Sequence, residues 1–212
     1  MEKLSIAQFK KMLAKAAFNI EAAKDELTEL DSQIGDGDHG TTMVKVMNKI
    51  SGTAEAYSGN DFKTLLSEIG MSVLNMGGGA TVPLFGSLFS GMSRAVAEGM
   101  EQLSKDELSE AFKSGEARLL KFSKAPLGAK TLVDSLTPAV AAFDAFEGCD
   151  IADALEAARL AAHEGCMKTK DYVAHFGRAK NLGERAIGIP DPGSVSVSII
   201  FKAFAQSAQE VE

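Results

Sequence analysis

The chain has 212 residues and a formal net charge of −7, with 22 Lys and Arg against 29 Asp and Glu. This acidic balance, with no cluster of basic residues, argues against nucleic acid and against an anionic membrane as partners. The two cysteines, Cys149 and Cys166, match no zinc or redox spacing. Because the sequence contains neither a signal-peptide core nor 18 consecutive apolar residues, we expect a cytoplasmic protein that folds as one domain over 1–212.

The first predicted element is an amphipathic helix that begins at Ser5. Apolar residues recur at helical spacing from Ile6 to Ala16, and Ser5 with Gln8 has the pattern of a capping box. The same periodicity, bounded by glycine, proline or capping residues, predicts six further helices. These helices cover 40–56, 61–76, 81–98, 104–122, 130–146 and 150–169.

The last segment, from Ser194 to Gln209, is ambiguous because it begins with SVSVSIIF, which alternates as a strand does. A lone strand without a partner could not satisfy its backbone hydrogen bonds, so we interpret the segment as the eighth helix. The sequence contains no other convincing strand and no internal repeat. It therefore predicts an all-α fold with eight helices in one antiparallel bundle.

Four connections between the predicted helices are rich in glycine. They are IGDGDHG at 34–40, MGGGATVPLFG at 76–86, APLGAKT at 125–131 and NLGERAIGIPDPG at 181–193. One such loop alone is explained by helix capping or by a common Asp-Pro-Gly turn. Four together are more than a simple bundle needs. Because alternate connections of an up-and-down bundle lie at the same end, we expect several of these loops to form one site.

The first of these loops brings together three carboxylates, those of Asp31, Asp36 and Asp38. Two unit charges roughly 4 Å apart repel by about 4 kcal/mol at an effective dielectric constant of about 20, so the group needs a compensating cation. Carboxylates favour Mg²⁺ or Ca²⁺ over zinc or copper. An EF-hand is excluded, because counting from Asp36 places Met47 where that loop needs its bidentate glutamate. An open Mg²⁺ site fits best, and a solvated acidic turn or a calcium-binding turn remains the simpler alternative.

Two predicted helix starts could hold phosphate. His39, Gly40, Thr41 and Thr42 follow the acidic turn directly, where the free N–H groups and the positive end of the helix dipole favour anions. The segment from Gly77 to Thr81 repeats the arrangement with small residues and a hydroxyl, although it is not a Walker A motif.

Arg178 precedes the last glycine-rich loop, and its guanidinium could reach a phosphate oxygen there. A surface salt bridge is the alternative role for this arginine.

These motifs lie within longer segments that resemble the nucleotide-binding L subunit of dihydroxyacetone kinase. The similar segments are LDSQIGDGDHGTTM at 30–43, GGGATVPLFGSLF at 77–89, GAKTLVDSLTPAV at 128–140 and NLGERAIGIPDPGSVS at 181–196. The resemblance extends over nearly all 212 residues, and the first and last of these motifs are specific as a pair.

The resemblance implies a barrel of eight antiparallel helices that holds ADP or ATP at one end through two Mg²⁺ ions. Asp31, Asp36 and Asp38 occupy the positions of the metal-binding aspartates, and Arg178 occupies that of a catalytic residue. The resemblance also implies the residues around the nucleotide. These are His39, Gly40, Thr41 and Thr42, then Gly79, Ala80 and Thr81, and finally Leu132, Arg178, Asp191, Pro192 and Gly193.

The chain departs from the family pattern at a few positions of the phosphate loops. The family usually has Asn at the position of Thr42, a Ser-Gly pair at the positions of Thr81 and Val82, and an acidic residue at that of Ala129. These changes leave the three aspartates intact and bear on the hydrogen bonds to phosphate.

The implied function is that of a phosphotransferase subunit. The γ-phosphoryl group would pass to dihydroxyacetone, or a related small ketose, on a separate K subunit. In the phosphotransferase-system version of the family, ADP stays bound and is rephosphorylated by a phosphohistidine on an M subunit. Two alternatives remain open: an ATP-exchanging kinase subunit for another substrate, and a non-enzymatic, nucleotide-bearing regulator of a partner protein.

Overall fold

Nine α-helices make up most of residues 1–210, which the computed structural model describes. They are α1 (Ile6–Ala22), α2 (Lys24–Ile34), α3 (His39–Ala56), α4 (Phe62–Leu74), α5 (Thr81–Ala95), α6 (Lys105–Ser123), α7 (Val133–Ala145), α8 (Ile151–Lys168) and α9 (Pro192–Gln209). Three short 3₁₀ turns follow α8, at Thr169–Asp171, Ala179–Asn181 and Gly183–Ala186. The predicted all-α class is confirmed. Within residues 1–210, no helix combines the length and apolar character needed to cross a membrane.

The predicted count of eight helices is one short, because α2 adjoins α1 directly. Ala23 ends α1 and begins α2, with its N–H bonded to Asn19 and its carbonyl to the N–H of Leu27. Only Leu27 and Ile34 of α2 are buried. Two buried residues in eleven give too weak an apolar period to reveal a helix in the sequence.

The sequence predicts no strand, and this prediction is wrong for two three-residue segments. β1 (Lys3–Ser5) pairs antiparallel with β2 (Gln102–Ser104), with Leu4 opposite Leu103. Each strand leads directly into a helix that begins with a complete capping box. The predicted helix starts at Ser5 and Ser104 are therefore confirmed. The tail is helical, as predicted, and begins two residues earlier, at Pro192.

Eight of the helices pack side by side in the order α1, α3, α4, α5, α6, α7, α8 and α9, and α9 also packs against α1. This order closes a ring, and α2 lies against α3 and α9. Six phenylalanines cross the interior with neighbouring ring centroids 5.1–6.5 Å apart. They are Phe62, Phe9, Phe204, Phe201, Phe112 and Phe143. An apolar void of about 50 Å³ lies among these side chains. The walls that support the loops are therefore closely packed.

Candidate functional site

One end of the helical ring contains a pocket of about 470 Å³. The starts of α3, α5, α7 and α9 line it, together with the end of α6 and residues 176–179. This volume is within the range of small-molecule sites. The four glycine-rich loops therefore contribute to one pocket, as the sequence predicts.

The three aspartates of the acidic turn lie on one side of this pocket. Asp31 belongs to the last turn of α2, and Asp36 and Asp38 follow in the connection to α3. One carboxylate oxygen of each lies within 4.8 Å of the others. The connection has only the residues 35–38, which is too short for the 12-residue loop of an EF-hand.

Hydrogen bonds and glycines hold the acidic turn in place. Oδ2 of Asp31 accepts hydrogen bonds from the N–H groups of Asp38 at 3.0 Å and His39 at 3.1 Å. A Cβ at Gly35 would lie 2.1 Å from Oδ1 of Asp31, so a side chain there would displace the carboxylate. Gly37 has a φ of +75°, which favours glycine. The backbone thus aims three carboxylates at one point.

The donor set of this turn fits a hard divalent cation. Mg²⁺ binds oxygen at about 2.0–2.1 Å in an octahedron, so its ligand oxygens lie about 3–4 Å apart. Three oxygens within 4.8 Å of one another can approach that spacing with small side-chain rotations. Asp36 and Asp38 are exposed, which leaves room for water or phosphate as further ligands.

His39 connects the acidic turn to the start of α9. Its Nε2 lies 2.8 Å from Oγ of Ser196, whose own proton is donated to the carbonyl of Pro192 at 3.1 Å. Burial lowers the pKa of His39, and the negative charge of Asp31 partly opposes that shift. The imidazole thus links the start of α3 to the start of α9 at the pocket.

Three of the helices that begin at the pocket have an N-cap residue whose own side chain makes no capping hydrogen bond. Their N-cap residues are Asp38 for α3, Ala80 for α5 and Leu132 for α7. α9 differs, because Asp191 accepts a hydrogen bond from the N–H of Ser194 at 2.7 Å. The N–H of His39 is bonded to Asp31 and that of Val133 to the hydroxyl of Thr131, so what these helix starts share is the positive end of the helix dipole, which suits phosphate oxygens.

Arg178 reaches the acidic turn from the segment 169–191, where its guanidinium forms an ion pair with Asp36. A small apolar cluster fastens this segment to α2: Ile34 is buried against Ala174, Ala179 and Ala186. The arginine therefore stands directly opposite the aspartates, and the salt bridge suggested as its alternative role is made to one of them.

An apolar wall completes the pocket beside the helix starts. It contains Leu84, Phe122, Leu132, Val133 and Phe176. Phe122 lies in the last turn of α6, and 59% of its surface is exposed. A pocket with carboxylates and N–H donors on one side and an apolar wall on the other can hold a flat base and an anionic tail.

Nearly all the predicted site residues line this pocket. The exceptions are Gly40 and Thr41. Gly40 is buried against α2, where a Cβ would lie 2.2 Å from the carbonyl oxygen of Lys24, and Thr41 is exposed. Gly40 thus permits the close packing of α2 on α3. The nucleotide-binding and catalytic roles assigned to these residues remain predictions.

Sequence reasoning did not single out Phe122, Ser123 and Lys130, which also line the pocket. Phe122 and Ser123 end a helix whose apolar face is already satisfied by the core. A signal for Lys130 was present in the sequence, because it lies inside the glycine-rich segment at 125–131.

Residues 33–206 match the family described as the DAK2 domain, a span that includes Asp36, Asp38 and all four glycine-rich loops. The chain belongs to the DAK2 domain family. The predicted resemblance to dihydroxyacetone kinase L subunits is thereby confirmed.

Two relatives of this DAK2 domain chain match it over most of their length. It is 33% identical over 209 residues to the ADP-binding subunit DhaL of the PEP-dependent dihydroxyacetone kinase of Escherichia coli (strain K12), covering 98% of this chain and 99% of the relative. It is 36% identical over 195 residues to the corresponding subunit of dihydroxyacetone kinase 2 of Listeria innocua, covering 90% and 89%.

The fold of this DAK2 domain chain also matches a solved structure, that of the dihydroxyacetone kinase from C. freundii in complex with AMP-PNP and Mg²⁺. The TM-score is 0.74 at 25% identity, and the match covers 93% of this chain and 33% of the kinase. The chain thus corresponds to about a third of that kinase.

Proposed function

We propose that this DAK2 domain chain is the nucleotide-holding subunit of a dihydroxyacetone kinase-type phosphotransferase. It holds ADP or ATP in the pocket, with two Mg²⁺ ions bound by Asp31, Asp36 and Asp38. The observation that carries the proposal is the convergence of three carboxylates on a pocket at which four helices, α3, α5, α7 and α9, begin. A single nucleotide-binding domain over 1–212 in the cytoplasm is part of the same proposal.

Each wall of the pocket has a role in this proposal. The first N–H groups of α3 and α5 donate to phosphate oxygens, and the hydroxyls of Thr42 and Thr81 stand beside them. The apolar wall around Leu132 packs on the base, while Asp191, Pro192 and Gly193 close the pocket at the start of α9. Arg178 contributes positive charge next to the reacting phosphate.

The metal ions, when bound, would neutralise the charge that develops on the phosphate oxygens. The chain itself supplies positioning, which is the main protein contribution to phosphoryl transfer. In the transfer, the bond between the γ-phosphorus and its bridging oxygen breaks, and a bond to the acceptor hydroxyl oxygen forms. The hydroxyl proton leaves to a base on the partner.

We assign the ketose acceptor to a separate K subunit, because the relatives that match over most of their length are named as ADP-binding subunits of dihydroxyacetone kinases. We assign rephosphorylation of bound ADP to a phosphohistidine-bearing M subunit, because the full-length relatives are named as PEP-dependent ADP-binding subunits. In this scheme ADP acts as a coenzyme that does not leave between turnovers.

A second candidate is an ATP-exchanging kinase subunit, in which free ATP enters at each cycle. It is favoured by the similarity to a kinase whose structure contains AMP-PNP, an analogue of ATP. The two candidates share the same pocket and differ in how fast the nucleotide leaves.

The test begins with protein purified without added nucleotide, which is denatured so that released nucleotide and Mg²⁺ can be identified and counted. The proposal expects ADP near one per chain and about two Mg²⁺. An empty protein that binds ATP reversibly, and that turns over with ATP and a K subunit alone, would establish the second candidate. A protein that binds neither nucleotide nor Mg²⁺ would overturn both.

A further inference from the structure

Lys130 is the most deeply buried basic side chain at the pocket, with 1% of its surface exposed. Its ammonium group donates to the carbonyl oxygen of Thr169 at 2.5 Å and to that of Ile189 at 2.6 Å. Those two carbonyls belong to the two ends of the segment 169–191, which carries Arg178. The side chain of Lys130 thus joins the two ends of this segment.

Carboxylates face Lys130 from three parts of the chain. Asp134 lies in the first turn of α7, Asp171 in the 3₁₀ turn after α8, and Asp191 at the start of α9. Asp134 accepts hydrogen bonds from the N–H groups of Gly128 at 2.6 Å and Thr131 at 2.7 Å. Burial lowers the pKa of Lys130, and the three carboxylates oppose that shift. The ammonium therefore bonds to two carbonyls, and the negative charge of nearby carboxylates favours its charged form.

The backbone of Lys130 does not explain why a lysine stands there. Its φ is +61°, a left-handed conformation that favours glycine. The same conformation occurs at Lys124, with a φ of 54°, whose side chain is exposed at the end of α6. A buried lysine in an unfavourable backbone conformation indicates that the side chain, rather than the loop geometry, makes this residue useful.

We propose that Lys130 is a positioning residue whose ammonium acts as an internal cation, closing the base of the 169–191 segment and so fixing Arg178 and Asp191 to Gly193 at the nucleotide pocket. The part of this inference that concerns the nucleotide rests on the proposed function. The part that concerns the segment does not.

Two other hydrogen bonds also join the two ends of the segment 169–191. Gly188 donates its N–H to the carbonyl of Lys170 at 2.8 Å, and Asp191 donates its N–H to Oγ1 of Thr169 at 2.9 Å. Removal of the Lys130 side chain would leave these bonds in place. It would also leave the carbonyls of Thr169 and Ile189 without this donor. The three carboxylates that face Lys130 would then lack its positive charge, and both losses favour local opening of the segment.

The matched variants are Lys130→Gly and Lys124→Gly. Both residues have positive φ, so the backbone consequences of glycine are alike and the two variants differ in the buried ammonium. Lys130→Gly leaves a space in which n-butylammonium, the missing side chain, fits. Lys130→Met fills that space without a charge, and it serves as the second variant if the glycine variant does not fold.

The first measurement is amide hydrogen exchange without nucleotide. We expect peptides covering 169–193 to exchange about tenfold faster or more in Lys130→Gly and Lys130→Met than in Lys124→Gly, with peptides of α4 and α5 unchanged. n-Butylammonium should slow exchange in Lys130→Gly, whereas n-butanol should not, and Lys130→Met should respond to neither. Equal exchange in the Lys130 and Lys124 variants would overturn the inference.

The second measurement is ADP affinity with Mg²⁺ by calorimetry, on proteins first freed of bound nucleotide. We expect Lys130→Gly to lose about tenfold or more, with recovery in n-butylammonium, and Lys124→Gly to match the unsubstituted protein. Equal affinity of the Lys130 variant would overturn the nucleotide role of Lys130 and leave the proposed function standing. Absence of ADP binding by the unsubstituted protein would contradict the proposed function, while the exchange data would still decide the role of Lys130 in the segment.

Discussion

At the residue scale, the acidic turn depends on its glycines as much as on its carboxylates. The side chain of Asp31 fits only because Gly35 has no Cβ, since that atom would lie 2.1 Å from Oδ1. The three aspartates could be identified from the sequence because they are close along the chain. The contact between Gly35 and Asp31 could not, because it depends on how the end of α2 unwinds into the turn.

We predict that Gly35→Ala weakens Mg²⁺-dependent ADP binding by about tenfold or more, because the added methyl displaces a carboxylate that aims at the metal position. Calorimetry at several Mg²⁺ concentrations measures the effect. Gly52→Ala is the control, since a Cβ at Gly52 meets nothing within 4 Å. Unchanged affinity in Gly35→Ala would contradict the assignment of Asp31 as a metal ligand.

A second residue-scale prediction concerns Asp191, whose pKa is raised to about 7 by burial and by the charge of Asp134, against the N–H of Ser194 and the charge of Lys130. The charge of Asp31 also raises it. Because the folded protein holds a proton that the unfolded chain releases near pH 4, this group stabilises the fold at low pH and loses that contribution between about pH 4 and 7.

Asp191→Asn cannot lose a proton, so we expect the free energy of unfolding to decline less between about pH 4 and 7 than in the unsubstituted protein. The difference should exceed about 1 kcal/mol, since one pKa unit corresponds to about 1.4 kcal/mol. Denaturant unfolding at a series of pH values measures it. Parallel pH profiles for the two proteins would show that Asp191 has an ordinary pKa.

At the element scale, capping chemistry made the helix starts predictable. Ser5 with Gln8 and Ser104 with Glu107 form the capping boxes that their spacing predicts. α2 was not predictable because it buries few residues, and the strands were not because three-residue elements depend on a partner about a hundred residues away. Local sequence patterns thus predicted most of the helices, but they could not predict the pairing of two segments that lie far apart along the chain.

The packing of α8 on α7 supports an element-scale prediction about helical glycines. A Cβ at Gly165 would lie 2.0 Å from the carbonyl oxygen of Asp134, so Gly165→Ala should cost about 1–3 kcal/mol by forcing the helices apart. Gly52→Ala lies in an open part of α3 and should gain up to about 1 kcal/mol. Thermal and denaturant unfolding measure both, and equal effects would contradict this packing.

At the scale of the whole molecule, the ring brings loops from distant parts of the sequence to one end. The convergence of glycine-rich loops was predictable because alternate connections of a bundle share an end. The burial of Lys130 was not, since the two carbonyls that it bonds are about forty and sixty residues further along the chain. The sequence thus indicated the chemistry of the pocket, and only the fold shows how the pocket is closed.

The central claim, that this pocket binds a nucleotide through a divalent cation, is tested most directly by calorimetric titration of ADP with Mg²⁺ and with EDTA, in the unsubstituted protein and in Asp38→Ala, each first freed of bound nucleotide. We expect saturable binding of about one ADP per chain with Mg²⁺, and its loss both with EDTA and in Asp38→Ala, because the phosphates would then face unpaired carboxylates. Binding that is unaffected by EDTA and by the substitution would contradict the metal assignment. No binding under any condition would contradict the nucleotide site itself.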